Sequence, residues 1–188
     1  MALLSLREIF DLLVMIAALG YIFMSSIPKP RTPYQLVMER GFSWEDFKFA
    51  VYVTGPAIVL HELMHKFVAL LVGLKEAVFH AWYFGLFIGI FLKVIHSPFI
   101  LFAPGYVSMS DSSPLIMALT AFAGPAMNLV LYLVALLILH RKKSLTRMQA
   151  MFLYLTKQIN LFLFIFNMLP IPPLDGSKVF YGLFKAIF

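Results

Sequence analysis

His61, Glu62 and His65 stand in the stretch HELMH, inside the otherwise apolar run VYVTGPAIVLHELMHKFVALLVGL at 51–74. Histidines four residues apart project from one face of a helix and can share a single metal ion. A glutamate that follows the first imidazole reaches a water held at that ion. Two imidazoles that hold zinc, with a carboxylate serving as general base, are the chemistry of an HExxH arrangement. The plain alternative is a set of polar side chains facing a bundle interior. Ionisable residues in so apolar a run are costly to bury and default to function, which favours the metal. Lys66, next to the second histidine, either snorkels toward an aqueous cavity or pairs with a carboxylate.

Zinc used in catalysis takes a third protein ligand and keeps an open position for water or substrate. The longer HExxHxxGxxH motif is absent, because Val68 and Leu71 occupy its glycine and third-histidine positions. A glutamate on a later helix is also excluded: after Glu62 the only glutamate is Glu76, which is too close in sequence. Asp111, Asp175, His80, His96 and His140 are left. Asp175 is the strongest of these. It lies in NMLPIPPLDGSK, where three prolines prevent regular helix and leave extended backbone that must line a cavity or be buried in protein. From the residues alone, Asp175 is equally well read as the turn and cap that opens a last helix. Asp111, in MSDSSP, reads as an N-cap, and His140 as an interfacial residue beside a basic loop.

These residues need elements to hold them, and the composition says in what solvent. The chain has 188 residues, 62% of them hydrophobic and 13% charged. A soluble domain carries about 45–50% apolar and about 25% charged residues, so this is an integral membrane protein in a lipid bilayer. The net charge is +6, but the cations sit in short loops beside apolar runs, which reads as membrane-edge anchoring and not as nucleic-acid binding. Without cysteine, neither a disulfide nor a thiolate metal site can form.

The expected fold is an all-α polytopic membrane protein of one domain over 1–188. Four transmembrane helices are predicted at 9–27, 49–74, 113–140 and 149–169, the first a retained anchor stopped by PKPRTP at 28–33. SWED at 43–46 supplies an N-cap and an acidic first turn before the second, where Gly55-Pro56 is a candidate kink. Residues 77–109 are apolar, rich in Phe, Ile and Val, and broken by Gly and Pro. Such residues favour strands, and strands in lipid must pair, so a re-entrant β-hairpin is predicted there, with a fifth spanning helix as the alternative. An amphipathic tail, 176–188, lies along the membrane surface.

Three of these stretches together resemble the site-2 protease family of intramembrane zinc metalloproteases. HELMH at 61–65, AGPAMN at 123–128 and NMLPIPPLDG at 167–176 match its HExxH, GPxxN and NxxPxPxxDG-type signatures in the family's order. APGYVSM at 103–109 is similar to part of the family's membrane-associated hairpin. The resemblance covers about residues 50–180 and implies one zinc ion per chain, with His61, His65 and Asp175 as ligands and Glu62 as catalytic base. It also implies that Asn128 and Asn167 lie near the active site and position substrate, a reading favoured over the plainer ones of helix packing for Asn128 and a helix terminus for Asn167. The implied partner is a transmembrane helix of a protein substrate, cut by a core-only member without a PDZ module.

Topology is less direct. Lys29, Arg31, Arg40, Lys48, Arg141, Lys142, Lys143 and Arg147 place the 28–48 and 141–148 loops in the cytosol by the positive-inside rule. The resemblance implies the reverse, a multi-pass cell-membrane protein with its active site toward the cytosol, and that is the expectation adopted. Labelling of a cysteine introduced at position 144 decides between them. A zinc or proton-coupled transporter using the same His, Glu and Asp cluster is the competing function. It leaves the HExxH order unexplained, and no internal repeat supports it.

Overall fold

A computed structural model of the chain describes residues 4–25, 42–74, 76–97, 105–110 and 112–188. Its elements follow in the order α1 (Leu6–Phe23), α2 (Trp44–Leu71), β1 (Ala77–Ala81), α3 (Tyr83–Val94), β2 (Gly105–Met109), α4 (Pro114–Arg141), α5 (Arg147–Asn167) and α6 (Asp175–Ile187). The predicted stop at 28–33 and the candidate cap Asp111 lie outside the described residues.

Each long helix begins where a hydroxyl can take an otherwise unpaired amide. Ser5, Ser43, Ser113 and Thr146 accept the third backbone N–H of α1, α2, α4 and α5, and Glu8 and Gln149 complete reciprocal capping boxes. The Ser43 cap starts α2 at Trp44, five residues before the predicted start, and the helix then runs unbroken through Pro56. Only α4 and α5, of 28 and 21 residues, combine the length and apolarity needed to cross a membrane among the described residues. Most polar side chains of α1 and α2 face inward: Glu8, Asp11, Asp46, His61, Glu62, His65 and Lys66 are all buried, while Arg7, Glu45 and Lys48 near the helix starts are exposed.

α4 is the central element, packed against α2, α5 and α6, while α1 packs on α2, β1 and α3. Small residues make this close packing possible, with Ala50, Val53 and Ala57 of α2 and Ala118, Ala121 and Ala123 of α4 buried between helices. Met15, Leu19 and Ile22 of α1 fill the other side of α2.

The 77–109 segment differs from both expectations. Its ends do pair as antiparallel strands, in register from Ala77 opposite Met109 to Ala81 opposite Gly105. Between them lies α3, a helix of 12 residues. At 1.5 Å per residue it is about 18 Å long, too short to span roughly 30 Å of hydrocarbon. The reason is backbone satisfaction: a helix closes its hydrogen bonds within one segment, whereas Phe- and Ile-rich strands there would need partners in apolar surroundings. Gly85, Leu86 and Gly89 turn inward, and Phe84, Phe87 and Phe91 outward. Lys93 ties α3 to the end of α1, its Nζ donating to the Ile22 carbonyl at 3.0 Å and to Ser25 Oγ at 2.7 Å.

Lys66 takes the second of its two predicted options. It forms a buried ion pair with Glu8 of α1. The same carboxylate accepts the Phe79 amide of β1 at 2.9 Å, and one turn on Asp11 accepts the Ala81 amide at 3.3 Å and the Tyr83 hydroxyl.

Candidate metal centre and active site

α2 carries His61 and His65 one turn apart, with their Nε2 atoms 3.0 Å from each other. Asp175, the first residue of α6, brings its Oδ2 to 3.1 Å from His61 Nε2 and 3.3 Å from His65 Nε2. Zinc bonds to nitrogen and oxygen run about 2.0–2.1 Å, so ligand atoms at the corners of a tetrahedron stand roughly 3.3–3.4 Å apart. The three atoms therefore stand at close to the mutual spacing that zinc ligands take, and these residues would fit that metal. Among the described residues this is the group able to hold a metal. His80 instead meets Ser108 on the strand pair, and His140 the Leu136 carbonyl at the exposed end of α4.

The other ring nitrogens decide what these imidazoles present. His65 Nδ1 lies 2.7 Å from the Thr120 carbonyl, which can only accept, so Nδ1 carries the proton. His61 Nδ1 lies 2.6 Å from Asn128 Oδ1. The Asn128 amide is oriented by its own donors, Nδ2 giving one bond to the Ala57 carbonyl at 2.9 Å and another to Asn160 Oδ1 at 2.8 Å. Asn160 in turn donates to the Thr156 carbonyl at 2.8 Å. Both histidines thus aim Nε2 lone pairs at one point, with an anionic oxygen beside them, and only a cation resolves that repulsion. Of its two sequence readings, ligand and cap, Asp175 adopts the first geometry: α6 starts after Leu174 with no side-chain cap bond.

Two glycines let the backbones come this close. Gly124 of α4 lies against the rings, and a Cβ there would stand 2.6 Å from His61 Nε2 and nearer still to His65 Nε2. Thr120, Gly124 and Asn128 follow at intervals of four, so one stripe of α4 supplies a carbonyl, a bare backbone and an amide to the two ligands. Gly176 wedges the first turn of α6 onto the end of α5, where a Cβ would come within 2.5 Å of the Leu169 carbonyl oxygen.

A cavity of about 560 Å³ opens beside the ligands. Glu62, 6% exposed, lines it together with Asn167 and Lys178, while Gly105, Tyr106 and Val107 of β2 form a facing part of its wall. The two asparagines implied to position substrate are separated here. Asn167 borders the cavity, but Asn128 is fully buried behind His61, where a substrate cannot reach it. What Asn128 touches at the site is the His61 ring, through its Oδ1. The supports Thr120 and Asn160 were not singled out from sequence: Asn160 stands in the polar stretch TKQIN of α5 beside Gln158, and nothing in the pattern sets it apart.

Partners of this kind hold ring orientation, and their loss lowers metal affinity about 10–100-fold. Asn128→Ala, titrated against a competing chelator, is expected to show a loss of that size with the helical content unchanged.

Comparison with known proteins agrees with this geometry. The model of the family described as "Peptidase family M50" matches residues 139–188, which include Asn167 and Asp175. A protein of Methanocaldococcus jannaschii named "Putative zinc metalloprotease MJ0611" is 36% identical over 179 residues, covering 93% of this chain and 84% of that protein. No solved structure matches the chain. Identity sustained over so much of both sequences places the two proteins in one family, and the chain belongs to peptidase family M50, the site-2 protease family of zinc metalloproteases.

Proposed function

We propose that this enzyme is an intramembrane protease that hydrolyses a peptide bond within a transmembrane segment of another membrane protein. One observation carries the reading: the metal ligands pack against Gly124, ten residues into a 28-residue helix long and apolar enough to cross a membrane. At 1.5 Å per residue that is about 15 Å along the helix, a depth that only a membrane-embedded substrate reaches readily. In this reading α1, α2, α4 and α5 all span the bilayer of the cell membrane. The inward-facing charges of α1 and α2 leave Leu13, Phe67 and Leu71 among their outer residues.

A helical peptide bond is hydrogen-bonded and shielded, so the substrate must unwind locally before it is cut. The extended stretch then pairs with an open strand edge, which supplies main-chain hydrogen bonds in place of those lost. That edge belongs to β2. Phe79 and Ala81 point their amides away from β2, so Val107 and Gly105, opposite them, point their backbone groups away from β1. Gly105 and Val107 also line the cavity.

When bound, zinc supplies Lewis acidity, making a water more acidic and a carbonyl more polarised. Glu62 takes a proton from the attacking water as its oxygen bonds to the carbonyl carbon. Glu62 then returns that proton to the amide nitrogen as the carbon–nitrogen bond breaks. Asn167, on the cavity wall, donates a hydrogen bond to the oxygen that gains charge.

The test is cleavage in proteoliposomes of a substrate whose transmembrane segment lies in the bilayer. Fragments ending within that segment, abolished by a zinc chelator and restored by added zinc, are expected. Zinc flux across the vesicles without any fragment would support the transporter and sink the protease.

A further inference from the structure

Two carboxylates on the first helix have no part in the chemistry yet sit where the strand pair meets the metal helix. Glu8 and Asp11 are each 2% exposed, in the apolar flank of α1. Glu8 makes three separate commitments. Its Oε2 accepts the Ser5 amide at 2.8 Å, its Oε1 accepts the Phe79 amide at 2.9 Å, and the same Oε1 pairs with Lys66. Asp11 holds the next outward amide of β1, Ala81, and the hydroxyl of Tyr83, the first residue of α3.

Two consequences follow from this placement. The outer edge of β1 is occupied by carboxylates, so a substrate strand is left with the edge of β2. The strand pair is also tied through Glu8 to Lys66, one residue beyond the zinc ligand His65. The strands also pack on α1 and α2 through buried Ala77, Phe79, Ala81 and Val107, but such apolar contact is non-directional, and a two-stranded sheet of five residues each is marginal on its own, so the directional bonds from Glu8 and Asp11 set the offset.

We propose that Glu8 and Asp11, with Lys66, are positioning residues that set the cleavage register: they fix the strand pair relative to the metal ligands, so that one peptide bond of the paired substrate meets the catalytic centre. The proposal rests on the strand-addition reading above. An untethered pair would slide, and a strand that keeps its faces slides by about two residues at a time.

The test reads the cut itself. Full-length enzyme is incubated in proteoliposomes with a transmembrane substrate cleaved at one dominant bond, and the products are identified by mass spectrometry. Glu8→Leu/Lys66→Met removes both charges together, which leaves no unpaired buried ion and is often neutral for folding. It is expected to keep one zinc per chain and to yield, beside the original product, a second one offset by about two residues. Asp11→Leu, which leaves the ion pair intact, is expected to broaden the products in the same way, and it carries the test alone if the double variant does not fold. A single unshifted product from a zinc-loaded variant overturns the proposal, because a merely structural role lowers yield without moving the cut. Val107→Pro separates the two layers of the argument. It removes an outward amide of β2 and is expected to lower cleavage at least 10-fold. If its cleavage is unchanged, strand addition itself fails; if cleavage falls while the tether variants stay in register, only the present inference fails.

Discussion

Glu62→Gln leaves the metal centre filled and stops cleavage. The amide has the size and shape of the carboxyl it replaces, and Glu62 is not one of the three ligand residues, so His61, His65 and Asp175 keep their separations. What is lost is the group that accepts and returns a proton. General acid–base groups contribute about 10²–10⁴-fold, which corresponds to about 3–5 kcal/mol of transition-state stabilisation. Zinc content by plasma mass spectrometry should therefore match the wild type, while turnover of a fluorescent transmembrane substrate falls by at least 100-fold. Equal turnover in the two proteins would remove Glu62 from the mechanism. Loss of zinc would instead make it a support for the ligands.

Gly124→Ala is the second large effect, and it acts in the opposite way, on the metal and not on the proton. The added methyl would stand 2.6 Å from His61 Nε2, well inside van der Waals contact. α4 cannot easily retreat, since α2, α5 and α6 all pack against it. The rings must therefore turn, and turning strains their bonds to Asn128 and to the Thr120 carbonyl. Overpacking of this kind costs about 1–3 kcal/mol, and borne by the metal-bound state alone it lowers zinc affinity about 5- to 150-fold. Gly55→Ala is the control, because a Cβ there meets only Ile16 Cγ2 at an ordinary 3.8 Å. Chelator competition on both variants checks the contrast, and equal zinc affinity in the two would show that the helices yield more than this packing allows.

What could be read from the residues divides by range. HELMH was legible because its geometry is local: four residues on a helix put two imidazoles on one face whatever surrounds them. The helix start at Ser43 was legible for the same reason. Asp175 was only half legible, since a carboxylate before Gly and Ser looks alike as a cap and as a ligand, and its partner His61 lies 114 residues away. Composition misled at 83–94, where Phe, Ile and Gly suit a strand as well as a short buried helix and no period separates them. Lys66 could be assigned to water or to a carboxylate, but nothing nearby pointed to Glu8, 58 residues earlier. Thr120 contributes only its backbone carbonyl, which no side-chain pattern can reveal.

The long reach from His61 to Asp175 has a consequence in time. The two histidines are made early, but the third ligand follows 114 residues later, after both apolar helices have been laid down. At translation rates of about 5–20 residues per second, that interval lasts roughly 6–23 s. Throughout it the growing chain holds a two-histidine helix and no complete metal site. Hydrolytic power therefore arrives last, when α6 docks against α4, and a half-made copy lacks the full set of residues for cutting a peptide bond.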